Sequence, residues 1–184
     1  MAHMRLRFTS ALALLAAIGL NGCTQFREMA RTYMVEEEYD EFERHCVYEQ
    51  RYNANGSLDF SMDFLNVRIV RPVGGDADYQ LVVYKESSSL WLFADQPLQF
   101  MVDGELIEFP FVTTRSHVLA ASNIQKWGYY SASRERIEQI IAAQTLRSKV
   151  FTTEGFYNVD YNSALLNRMR EFMGNYAERE CRAA

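Results

Sequence analysis

The sequence predicts an α+β fold: an antiparallel meander sheet of about six or seven strands with two or three helices packed on one face. Three observations predict it. Segments of alternating apolar and polar residues recur between turn signals such as Asn55-Gly56 and Asp103-Gly104. Two segments near the C-terminus repeat apolar residues at helical spacing. The strands come mostly first, and a strand–helix–strand–helix run ends the chain. The 184 residues, 48% hydrophobic and 23% charged, exclude a collagen, a disordered tail and a polytopic membrane protein. No repeat or linker breaks the chain, so one α+β domain is expected over 39–184.

The elements follow in order. Within 24–38, Phe26, Met29, Ala30, Tyr33 and Met34 fall at helical spacing and predict a short helix. Glu36-Glu37-Glu38 reads as its solvated end. Residues 42–52 read as a strand, with Phe42, Arg44, Cys46, Tyr48 and Gln50 on one parity. A turn is expected at Asn53-Ala54-Asn55-Gly56. Leu58, Phe60, Met62 and Phe64 then alternate, but Leu65, Val67 and Ile69 take the opposite parity. A bulge or bend near Phe64-Leu65 would reconcile them. Pro72 to Asp76 closes that strand. Tyr79–Tyr84 and Leu90–Phe93 are short runs rich in β-formers. Residues 97–112 carry a hairpin around Asp103-Gly104, with Pro110 at a strand end.

Residues 113–126 read as a loop with a helical turn around His117–Ala121. Ile137, Ile140, Ile141 and Gln144 mark one face of a helix from Arg134, with Ser131 or Ser133 as N-cap. Leu146–Thr153 reads as a strand and Gly155 as a turn. The last helix, 161–173, turns Leu165, Leu166, Met169, Phe172 and Met173 inward, with Gly174 as C-cap. The layout from Tyr129 to Met173 loosely resembles that of uncharacterised bacterial envelope proteins.

The N-terminus reads as an address. Arg5 and Arg7 precede an apolar run, Phe8–Leu20. Its length suits the ~7–15 residues of a signal-peptide core and falls short of the roughly 18 that span a bilayer. Met1-Ala2-His3 reads as an added segment ahead of a natural start at Met4. The run ends in Leu20-Asn21-Gly22-Cys23, which resembles the lipobox of bacterial lipoproteins. Leu20 and Gly22 match the family pattern; Asn21 departs from its usual small or β-branched residue. The resemblance implies a signal peptide over 1–22, cleavage before Cys23, and palmitate or a similar acyl chain on the Cys23 thiol. Residues 23–38 would then be the lipidated N-terminus. Thr24, where inner-membrane lipoproteins often carry Asp, implies the outer membrane, facing the periplasm. Several acyl chains suffice for stable anchoring. The whole chain carries a net charge of −5, and losing Arg5 and Arg7 makes it more acidic. Anchoring therefore falls to lipid rather than to a basic patch, and a nucleic-acid surface is not expected.

Cys46 and Cys181 remain. In an oxidising compartment they are expected to pair as a disulfide, two free thiols being the alternative. A metal or redox pair would want a short CxxC spacing or nearby histidines, and neither is present.

No catalytic, phosphate-binding or metal-binding motif occurs, and no metal or cofactor is expected. Ser116-His117 are neighbours, which on a strand would point apart. Asp59, Asp63 and Asp103 could serve as acids but also suit a wet strand face. Trp91, Phe93, Phe100, Phe109 and Phe111 suit a sheet core. Trp127, Tyr129 and Tyr130 are the candidate partner-binding residues, at a loop-to-strand junction where binding groups often lie. Two functions follow. One is a non-enzymatic, lipid-anchored binding or assembly module for another envelope protein. The alternative is a periplasmic hydrolase using scattered acids with His117.

Overall fold

Strand β1 (Met34–Asp40) pairs antiparallel with β2 (His45–Arg51), joined by a short turn in which the Asp40 carboxylate accepts from the Phe42 and Glu43 amides. The computed structural model describes residues 33–55, 64–87, 92–120 and 123–182. The leader, Cys23, the start of the expected first helix, the Asn-Gly turn at Gly56, the Leu58–Met62 alternation and Trp91 lie outside them. The helix expected through Glu38 is not formed at its described end: residues 34–40 are strand. Val35, Glu37 and Tyr39 lie opposite Gln50, Tyr48 and Cys46, and that pairing overrides a helical spacing.

The chain continues through β3 (Phe64–Pro72) and β4 (Asp78–Ser87), completing a four-strand meander. Leu65, Val67 and Ile69 are fully buried on the inner face, and Phe64 takes the other face. The chain then departs from a single meander. β5 (Leu98–Val102) and β6 (Glu105–Phe109) form a hairpin in a second sheet. Its turn carries φ of 49° at Asp103 and 91° at Gly104, the two positive values of a type I′ turn.

β7 (Phe111–Ala120) and β8 (Asn123–Ala132) then return to the first sheet as a long hairpin. This segment replaces the expected loop and helical turn at 113–126. Edge position explains the misreading: β7 faces solvent along much of its length, so it lacks an apolar alternation. Helix α1 (Arg134–Ala142) follows, capped by Ser133, whose side chain accepts from the Arg136 amide. β9 (Leu146–Thr152) and β10 (Gly155–Tyr161) join the second sheet, and α2 (Ser163–Tyr176) closes the domain. β10 replaces the plain turn expected at Gly155.

Gly174 is not a C-cap. α2 runs past it to Tyr176, because Tyr176 stacks on Phe172 at 5.0 Å and Ala177 beyond it is buried. That packing outweighs the ~1 kcal/mol of a helical glycine.

The result is two antiparallel sheets, ordered β1-β2-β3-β4-β8-β7 and β10-β9-β5-β6. The expected single sheet is thus two, because alternation marks a buried face without saying which sheet owns it. One face of the large sheet (Tyr48, Leu65, Val67, Ile69, Leu81, Val83, Tyr130) merges with the small sheet and both helices into one core. Asn53 ties α2 to that face: its Nδ2 donates to Leu65 O at 2.9 Å, and its Oδ1 accepts from Arg168 Nε at 2.7 Å. Phe93 closes the gap between sheets. It bridges Thr152 of β9, and its ring lies against Gly128 of β8, where a Cβ would come within 2.9 Å. Cys46 and Cys181 form a disulfide that clips β2 to the tail beyond α2, across 135 positions.

Candidate binding face of the six-stranded sheet

Directly opposed residues of an antiparallel pair share a face, with Cβ atoms about 5 Å apart. The register therefore defines rows across the large sheet on the side away from the core. One row is Phe64, Tyr84, Trp127 and Arg115, running from β3 to the β7 edge. Its rings touch: Phe64 and Tyr84 lie 5.0 Å apart, Tyr84 and Trp127 5.3 Å. Tyr52, just beyond β2, reaches both Phe64 and Tyr84 at 6.0 Å. The next row is Asn66, Val82, Tyr129 and Thr113. A third is charged: Glu36, Glu49, Arg68, Gln80 and Ser131.

Glu49 is buried, yet it stands on this face, which carries no helix among the described residues, rather than in the main core. Arg68 Nε lies 3.3 Å from one carboxylate oxygen and Arg51 Nε 3.4 Å from the other. Arg68 also donates to Gln80 Oε1 at 2.9 Å, and Arg51 pairs with Glu36. Burial pushes the Glu49 carboxyl above its ordinary range, while Arg51 and Arg68 pull against that shift. Arg68 and Arg115 also lie over the Tyr129 ring, at 5.7 and 5.4 Å from its centre. Burial, and then Glu49, pushes the Tyr129 hydroxyl up, with Arg115 and Arg68 opposing. Burial and the hydrogen bond to Glu86 push Tyr84 up further. Phe64, Tyr84, Val82 and Tyr129 are buried, so the accessible part of this face is its β7 side, where Trp127 is half-buried and Thr113 and Arg115 are exposed.

The three sequence-predicted partner-binding residues do not act together. Trp127 and Tyr129 share the outer face, but Tyr130 turns inward and is 1% exposed. Adjacent strand residues point oppositely, so no strand could present Tyr129 and Tyr130 side by side. Ser116 and His117 likewise face opposite sides of β7, with His117 in the row of Gln125 and Glu86. Asp103 sits in the other sheet. Its carboxylate accepts from the Gln144 and Thr145 amides and from Thr145 Oγ1, which holds the α1–β9 link and lowers its pKa. Asp59 and Asp63 lie outside the described residues. Sequence reasoning missed Glu49, Arg51, Arg68 and Arg115, because only cross-strand register brings them together.

A cavity of about 720 Å³ lies apart from this face, beside the disulfide. It is open, and most of its charges already pair: Glu37 with Arg179, Glu178 with Arg134, Glu180 with Arg182. Among the described residues no group of His, Cys, Asp and Glu is placed to hold a metal, and no helix is long and apolar enough to cross a membrane. No protein-family model, curated protein or solved structure matches the chain.

Proposed function

We propose that this is a lipid-anchored, periplasm-facing envelope protein that acts without catalysis, as a binding or assembly module. The β7 side of the outer face of the six-stranded sheet is the surface its protein partner touches. One observation carries this reading: exposed Thr113 and Arg115 border half-buried Trp127 and the buried, arginine-flanked Tyr129, at the β7 side of a face without a helix among the described residues. Aromatic rings and arginines on a rigid sheet are what protein interfaces concentrate. The lipobox-like Leu20-Asn21-Gly22-Cys23 supports the anchor on Cys23 and an outer-membrane location. The hydrolase reading is the weaker one, since the Asp103 carboxylate is engaged by Gln144 and Thr145 at the β5–β6 turn, while His117 stands on β7 of the other sheet.

Two measurements in a bacterial host test the proposal. Cys23→Ser should move the protein from the membrane to the soluble fraction; unchanged membrane association would refute the anchor. A photo-reactive residue at exposed Thr113 should cross-link to an envelope protein. The same group at Arg147, on the outside of the small sheet, should not. Cross-linking at neither position, or equally at both, would remove the binding face.

A further inference from the structure

The large sheet ends at β1 on one side and β7 on the other. The two edges differ in kind. β1 carries Glu36-Glu37-Glu38, all exposed, with Glu36 paired to Arg51 and Glu37 to Arg179. Such charges discourage further strands from adding. β7 has none of these guards. Its sequence, FVTTRSHVLA, contains no acid, lysine or proline, and Val112 and Val118 are 46% and 64% exposed. Register shifts occur only near its ends, between Phe111 and Thr113 and between Val118 and Ala120. Between them Thr113–Val118 is regular strand, turning alternate backbone N–H and C=O groups outward.

The outer-face rows reach this edge as Thr113, Arg115 and His117. Arg115 rests on Tyr129 and makes no hydrogen bond or ion pair among the described residues. Its guanidinium therefore has donors to offer at the sheet boundary. A residue added opposite Arg115 would place its Cβ about 5 Å from the Arg115 Cβ, within reach for a carboxylate. On the inner side the added strand would meet only Thr114, Ser116 and Val118, which are small.

We infer that β7 accepts an extended, acidic segment of a partner protein as a seventh strand of the sheet. Main-chain bonds to Thr113–Val118 supply the pairing, and a carboxylate on the outer face meets Arg115. This rests on the reading of that face as a partner surface and names the partner's chemistry. A second copy fits less well. Self-pairing of β7 would set the Arg115 side chains of two copies near each other, and the glutamates of another β1 are already held by Arg51 and Arg179.

The test uses the full chain in detergent and a fluorescent peptide of four Val-Glu repeats, with a Val-Lys peptide as counterpart. Anisotropy should show binding of the acidic peptide only, weakened about tenfold by Arg115→Gln and unchanged by Arg147→Gln. Amide exchange should slow across Thr113–Val118 when the acidic peptide is bound. Equal binding of the Val-Lys peptide, indifference to Arg115→Gln, or protection elsewhere would each overturn the inference. So would phosphatidylglycerol vesicles that bind through Arg115 while the peptide does not. If the Thr113 cross-link persists and the peptide fails, strand addition falls and the binding face stands.

Discussion

Arg68 and Glu49 meet 3.3 Å apart across the β2–β3 pair, on the side of the large sheet away from its main core. A buried charged pair outside a core is weak evidence for stability, because desolvation offsets the attraction. Here it shapes a surface: Arg68 is fixed by Glu49 and Gln80 while it lies over Tyr129.

That pairing has a pH signature. Glu49 has a folded pKa above its ordinary 4.5, so the folded state holds its proton more tightly than the unfolded one. Its ionisation therefore lowers stability as pH rises from about 4.5 through the raised folded value. Asp103 and Asp160 are shifted down and act in the opposite sense, losing their contribution as pH falls. Comparing Tm against pH for the wild type and Glu49→Gln isolates the effect. The variant should lose less stability than the wild type over that rise; parallel curves would show that Glu49 titrates as it does in the unfolded chain.

Gly128 should tolerate no side chain. An alanine Cβ there would lie 2.9 Å from the Phe93 ring and 3.0 Å from the Tyr130 hydroxyl. Gly128→Ala should destabilise by about 1–3 kcal/mol, the usual range for overpacking, measured by urea unfolding. Adding Phe93→Leu should recover part of that loss. Simple additivity of the two changes would mean that the Phe93 ring is not the obstacle.

The Cys46–Cys181 bond closes a loop of 135 positions. Loop-closure entropy for so long a loop is ~5 kcal/mol, usually less in practice. Cys46→Ser with Cys181→Ser should lower the urea midpoint, and reductant should then have no further effect. An unchanged midpoint would mean that the bond adds nothing to the packing around Tyr48 and Tyr176.

Gly104 tests backbone conformation alone. Its φ is +91° and a Cβ would meet nothing within 4 Å. Gly104→Val should thus destabilise only through strain, by about 1–2 kcal/mol. A neutral result would place the β5–β6 turn in another conformation.

How much of this was legible in the sequence depends on the range of the interaction. The Asp103-Gly104 turn, the Ser133 cap and the inward face of α2 are set by neighbours a few residues apart, and all are found as read. The Leu65, Val67 and Ile69 alternation also holds, since period-2 alternation reports which residues are buried; its Leu58–Met62 counterpart lies outside the described residues. The Cys46–Cys181 pair was legible from parity of number and compartment rather than from geometry. What was not legible is long-range. Nothing local says that β8 inserts between β4 and β7, or that β5 and β6 leave for another sheet. Hence β7 reads as a loop, and Glu49, Arg68 and Arg115 carry no sequence signal that brings them together. Trp127 and Tyr129 share a face, and their separation from Tyr130 follows only once the segment is known to be a strand.

The order of the large sheet also sets a distance. The chain enters it at β1, one edge, and the unguarded edge is β7, the other. Five strand spacings of roughly 4.8 Å separate them, about 24 Å in all. A partner strand added at β7 would be held away from the point where the chain arrives from its N-terminal segment. On the proposed strand addition, the separation of that strand from β1 would be counted in strands. Gaining or losing one strand between β1 and β7 would change the standoff by a fixed step.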